Sequence, residues 1–267
     1  MTDYVLATGA AERERLALLQ EVYGPVTEAA LRAAGLRPGM RVVEIGCGNG
    51  IMACWLGEQV GPTGAVLGLD QSPAQVEEAR RLAAARGLGH VTFDVAEANA
   101  PGAPAAAFDL AYCRLVLMHL PDPLGALRVM GALVRPGGAV VAVEMDVTRW
   151  LCDPPSAAVE RCYAMNLQLA TKRGENFRIA TSLHALFDAA GLEGVEARAD
   201  LPLIRSGPTK HLLRLSFEEL APVAVLDGVT TPEEVADLDA ELRRIADDPH
   251  TLLGMPLVVA VRGVSPR

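Results

Sequence analysis

Between Met40 and Val143 short apolar runs alternate with amphipathic stretches, the pattern of a parallel sheet covered by helices. The first strand is expected at Met40–Ile45, then a turn at Gly46–Gly50 and a helix from Ile51 to about Gln59. Ala65–Leu69 reads as a second strand that ends in Asp70. Ser72 is placed to cap the next helix, with Pro73 in its first turn and a body running to Arg86. Val91–Phe93 is a short third strand, and the Ala-, Pro- and Gly-rich stretch Glu97–Ala107 is a connection. Phe108–Tyr112 supplies the fourth strand, Leu115–Leu120 a helical turn, and Leu124–Val134 a helix stopped near Pro136–Gly138. Ala139–Val143 is the fifth strand.

Beyond it the pattern loosens. Helices are expected at Ser156–Ala170 and Ser182–Ala190, a sixth strand at Val195–Ala199, and helices at Thr209–Leu226 and Pro232–Ala246. A final strand, Leu257–Val261, closes the series, and Glu12–Ala34 is helical in pattern. The chain is therefore divided into an N-terminal helical cover (1–38), a cofactor-binding core (39–150), substrate-cover insertions (151–180 and 201–256) and a last strand (257–263) of one domain. The expected class is α/β: a seven-stranded, mostly parallel, Rossmann-like sheet with a helical cover over the substrate pocket.

Composition narrows the function. A chain of 267 residues, 51% of them hydrophobic and only 4% aromatic, can bury one large core. It lacks an apolar run of membrane-spanning length, and Met1–Gly9 lacks the features of a secretion signal, so a soluble cytoplasmic protein with no membrane partner is expected. The five cysteines form no CxxC pair and read as reduced core thiols. Against 24 Lys and Arg stand 33 Asp and Glu, a net charge of −9 without a basic stripe, which disfavours nucleic acid as a partner. Metal-ligand spacings such as HxxxH are absent, so no metal is expected. An apolar helix face could serve either the cover or a homodimer interface.

The sharpest local feature is Val42-Val43-Glu44-Ile45-Gly46-Cys47-Gly48-Asn49-Gly50, a strand that feeds a glycine-rich turn into a helix N-terminus. A dinucleotide fingerprint would need its third glycine at position 51, where Ile51 stands, so nicotinamide cofactors are disfavoured. Glu44 would sit awkwardly beside a pyrophosphate but suits a cationic amino-acid group. Asp70, at the end of the next strand, can accept both hydroxyls of a ribose.

These blocks, with LGLDQS, FDVAEAN, FDLAYCRLVLMHLPDP and LVRPGGAVVAVE, resemble the class I S-adenosylmethionine-dependent methyltransferases from Arg41 through Val143. The similarity is to the group containing quinone-biosynthesis and bacterial natural-product enzymes. The resemblance implies S-adenosylmethionine as cofactor and a small organic acceptor methylated on O, N or C. It implies that Gly46, Cys47 and Gly48 line the methionine side, Asp70 holds the ribose, and Gln71 flanks the adenine. Asp94 would approach the adenine amino group with Val95 and Ala96 beside the ring, while Tyr112, Cys113 and Arg114 would lie near the reactive sulfur. Tyr4 and Tyr23 resemble aromatic residues that some relatives place over the cofactor, packing in a helical cover being the alternative.

His119, just past the fourth strand, is a candidate to orient the cofactor or accept a proton, the alternative being a histidine bonded within its turn. Glu144, after the fifth strand, could act as a base or bind an amine, and equally could cap backbone N–H groups. His211, in the expected cover, is a third catalytic candidate, the alternative being an ordinary helix-face histidine. The competing readings are an adenosylmethionine-binding enzyme of other chemistry and a non-catalytic small-molecule-binding protein.

Overall fold

The apolar runs become strands whose ends lie a few residues from their expected places. The structure, a computed structural model, describes residues 10–266. A long helix, α1 (Ala10–Ala33), precedes β1 (Arg41–Ile45), α2 (Ile51–Val60), β2 (Ala65–Asp70), α3 (Pro73–Ala85), β3 (Val91–Val95) and β4 (Phe108–Arg114). After a 3₁₀ turn at Leu117–His119 come α4 (Pro123–Leu133), β5 (Val134–Asp146) and β6 (Leu151–Asp153). The remainder comprises α5 (Ala157–Arg173), α6 (Leu183–Ala189), β7 (Glu193–Asp200), β8 (Leu203–Ile204), α7 (Leu212–Leu226), α8 (Pro232–Asp247), β9 (Leu252–Gly254) and β10 (Leu257–Val264).

Seven strands form one sheet in the order β3-β2-β1-β4-β5-β10-β7. β1 pairs in parallel with β2 and β4, β2 with β3, and β4 with β5. The N–H of Gly137 donates to the carbonyl of Ser265, and the N–H of Ser265 to that of Gly138, so the start of β5 meets the end of β10 and these two run antiparallel. Val42, Val43, Leu110, Ala111, Val140 and Val141 are fully buried, as central parallel strands covered on both faces require. The strand order reverses between β1 and β4. Such a switch point opens a crevice at the carboxyl ends of the strands, and that end of β1 is the glycine-rich turn.

Two expectations need correction. β5 begins at Val134 rather than Ala139, because Gly137 and Gly138 are held by Ser265, a long-range pairing that overrides the turn signal of Pro-Gly-Gly. A second sheet, β6-β9-β8, was not expected at all. Its antiparallel strands bring Leu151 and Leu203 beside Gly254, but they are two or three residues long, too short to show a period.

The chain divides into two compact units. Among the described residues, a helical unit gathers 10–25 with Met145–Arg178 and Asp200–Val258; a sheet unit gathers Val26–Glu144, Ile179–Ala199 and 259–266. In the helical unit α5, α7 and α8 pack on one another. Thr231 caps α8 by accepting the N–H of Glu234 at 3.2 Å. Arg161 of α5 donates to the same glutamate through Nε at 2.6 Å and Nη2 at 3.0 Å. With the Thr230 hydroxyl, this guanidinium holds the Glu234 carboxyl down at about 2.

Candidate functional site

In the sheet unit, β1 ends at Ile45 and the chain turns through Gly46, at φ +70°, and Gly48, at φ +51°. These angles favour glycine, but the two positions differ in what surrounds them. A Cβ on Gly46 would lie 2.3 Å from Cγ2 of Val116, whereas a Cβ on Gly48 would meet nothing within 4 Å. The first glycine is thus needed for close packing. The second faces open space. The carbonyl of Leu69 accepts the N–H groups of Gly46 at 2.7 Å and Cys47 at 3.0 Å, tying the turn to β2.

Asp70 ends β2 beside this turn. Its Oδ2 accepts the N–H of Gly48 at 2.9 Å, and its Oδ1 that of Ser72, also at 2.9 Å. A carboxylate has about four lone-pair positions, so each oxygen keeps one for an outside donor. Asp70 is in register with Val95 of β3, whose side chain is 50% exposed, and the N–H of Ala96 donates to the Asp70 carbonyl at 3.0 Å. An exposed valine beside an aspartate with free lone pairs offers an apolar surface next to a hydroxyl acceptor. Gln71 is exposed; Asp94 is exposed too and faces Arg80 at 3.6 Å.

Glu44 and Arg114 lie on the neighbouring strands β1 and β4. Glu44 is 3% exposed, and its Oε2 is buried without a hydrogen-bond partner. Burial pushes its carboxyl up to about 8, against the pull of the Arg114 guanidinium and with a further push from Asp70. Nη1 of Arg114 is likewise buried and unpartnered. Tyr112 of β4, fully buried, is in register with Glu44, and burial raises its hydroxyl pKa. A buried acceptor and a buried donor without partners are what the ammonium and carboxylate of an amino-acid group would satisfy. The residues present therefore fit S-adenosylmethionine.

His119 closes the 3₁₀ turn after β4, where its N–H donates to the carbonyl of Val116 at 3.0 Å. Its imidazole acts on the charge of Glu144, which is fully buried at the end of β5. Oε1 of Glu144 accepts the N–H groups of Val116 at 3.0 Å and Leu117 at 2.8 Å. Burial nevertheless raises this carboxyl to about 7, even though those N–H groups and His119 favour the anion.

A model of a family described as a methyltransferase domain matches residues 17–197. The chain belongs to this family. Family and fold support S-adenosylmethionine as its cofactor. Over 102 residues, 38% of this chain, it is 40% identical to the aklanonic acid methyltransferase DauC of Streptomyces sp. strain C5. Methyltransferase GfsG of Streptomyces halstedii is 29% identical over 212 residues, 79% of this chain and 73% of that protein. The match spans 46% of DauC, so the chain covers less than half the length of that relative. A solved structure, the [4+2]-cyclase SpnF, shares the fold at a TM-score of 0.57 with 20% identity, covering 98% of this chain and 99% of that one.

The remaining candidates lie elsewhere. Tyr23, in the helical unit, is buried, and its hydroxyl donates to the carbonyl of Pro256 at 3.4 Å. His211, in the same unit, faces Asp247 at 3.4 Å. Tyr4 lies outside the described residues. Sequence reasoning missed Val116, which packs on Gly46, and the second role of Ser72, which fixes Asp70. The spacing Asp-x-Ser was a usable signal for the latter, since an aspartate commonly accepts the N–H two residues on. Val116 carried no local signal. Among the described residues no helix is long and apolar enough to cross a membrane.

Proposed function

We propose that this protein transfers the methyl group of S-adenosylmethionine to a small organic acceptor of bacterial secondary metabolism. The observation that carries the reading is the pair of buried, unpartnered groups at the glycine turn, Oε2 of Glu44 and Nη1 of Arg114. Bound there, S-adenosylmethionine would supply a methyl carbon made electrophilic by its sulfonium. Gly46, Cys47 and Gly48 line its methionine side, with Glu44 facing the ammonium and Arg114 the carboxylate. Asp70 takes the ribose hydroxyls, Val95 and Ala96 lie along the adenine, and Gln71 and Asp94 edge it. His119 accepts the proton of a neutral acceptor, the general-base role open to an imidazole nitrogen just past β4. His211, whose Nε2 stands 3.4 Å from Oδ1 of Asp247, is the third candidate to contact the acceptor.

The family match ends at residue 197, which supports assigning acceptor choice to the segment 201–256. The net charge of −9 supports an acceptor other than nucleic acid. Because a fold neighbour is named as a cyclase, turnover is the test. The purified chain is incubated with methyl-labelled S-adenosylmethionine and a panel of phenols, hydroxyquinones and polyketide acids. Formation of S-adenosylhomocysteine together with a methylated product is expected; tight cofactor binding with no turnover on any of them would favour the other chemistry.

A further inference from the structure

Glu144 sits where β5 ends, yet both hydrogen bonds to its Oε1 come from the neighbouring loop, through the N–H groups of Val116 and Leu117. That loop leaves β4 through Leu115 at φ +55°, a left-handed conformation that is unfavourable for a leucine and persists only where its surroundings enforce it. The enforcing bonds come from β5: the carbonyl of Val143 accepts the N–H of Leu115 at 2.9 Å, and Glu144 takes the next two. Held in this way, Val116 presses its side chain on Gly46, leaving no room there even for a methyl group. A line of contact runs from the end of β5 through the loop to the glycine turn of β1.

We propose that Glu144 is a positioning residue, which holds the Leu115–Leu117 loop against Gly46 and so builds the wall on the methionine side of the donor site. It takes no proton from the acceptor. The inference rests on the methyl-donor reading above. Its geometry agrees with the role: the side chain is fully buried, Oε2 is buried as well, and the oxygen in use is already bonded twice. A structural acceptor needs only an oxygen at that place, whereas a base needs the carboxylate.

The test compares Glu144→Gln, which keeps an acceptor oxygen, with Glu144→Leu, which removes it. The readouts are S-adenosylhomocysteine affinity by calorimetry and amide hydrogen exchange at Val116 and Leu117. The leucine variant is expected to bind about tenfold more weakly and to exchange both amides at least about tenfold faster, the loss of roughly one net hydrogen bond, while the glutamine variant stays within about threefold on both readouts. Wild-type affinity in the leucine variant, or a loss in the glutamine variant as large as that in the leucine one, would overturn the proposal. If the leucine variant does not fold, Val116→Ala replaces it. That change thins the wall and leaves the carboxylate in place, so weaker binding supports the proposal and unchanged binding overturns it. Should the wild-type chain bind no S-adenosylhomocysteine, the donor reading has failed; the amide exchange, which needs no ligand, still tests how Glu144 holds the loop.

Discussion

Three residues set the behaviour of the turn one side chain at a time. Asp70 orients Gly48 and Ser72 and keeps a lone pair on each oxygen for the ribose it is proposed to hold. Asp70→Ala is expected to weaken S-adenosylhomocysteine binding by about ten- to a hundredfold, the worth of one or two charge-assisted hydrogen bonds. Calorimetry on a variant shown to be folded by circular dichroism checks this; an unchanged Kd would remove Asp70 from the site. Gly46→Ala combines a positive φ with a methyl group 2.3 Å from Val116, and should cost about 1–3 kcal/mol of stability. A denaturation midpoint equal to wild type would show that the wall yields easily. His119→Gln keeps a hydrogen-bonding side chain but no basic nitrogen to take up a proton, so kcat should fall about a hundredfold with donor affinity retained. Full activity would take His119 off the proton path.

At the scale of elements, what was legible depended on where the information lay. The Ser72 cap, the Pro73 start and the run Ala65–Asp70 are local signals, and β2 and α3 follow them closely. The acidic residues at the ends of β1 and β2 were readable because parallel strands bring their carboxyl ends to one edge. The start of β5 was not, because it depends on Ser265, and neither was the small sheet, whose partners lie some 50 to 100 residues apart in sequence. Val116 on Gly46 is hidden for the same reason, being a contact between two loops. In the helical unit, Thr231→Ala should destabilise the chain by about 1 kcal/mol, since the cap also presents Glu234 to Arg161. Thermal denaturation checks it, and an unchanged Tm would mean that the ion pair holds α8 without the cap.

Across the whole molecule, two buried carboxyls govern the response to pH. Folded Glu44 and Glu144 titrate at about 8 and about 7, above the ordinary 4.5, so between these values the folded chain holds protons that the unfolded chain has released. Their contribution is full below about 4.5 and is lost as pH rises through 7 and 8. Glu234 works in the opposite direction, its contribution being lost as pH falls from 4.5 towards about 2. The urea midpoint of the ligand-free protein should therefore fall between pH 5 and 8.5, and Glu44→Gln should flatten that fall. An equally steep decline in the variant would place the titration elsewhere.

Glu44, taken with Arg114, also bears on the central claim, that the turn at Gly46–Gly50 with Glu44, Asp70 and Arg114 is a methyl-donor site. Calorimetric titration of the wild-type chain with S-adenosylhomocysteine, run in parallel with NADH, tests it most directly. The prediction is saturable one-to-one binding of S-adenosylhomocysteine, with a Kd on the order of micromolar, and no heat from NADH. No binding of S-adenosylhomocysteine, or preferential binding of NADH, would contradict it.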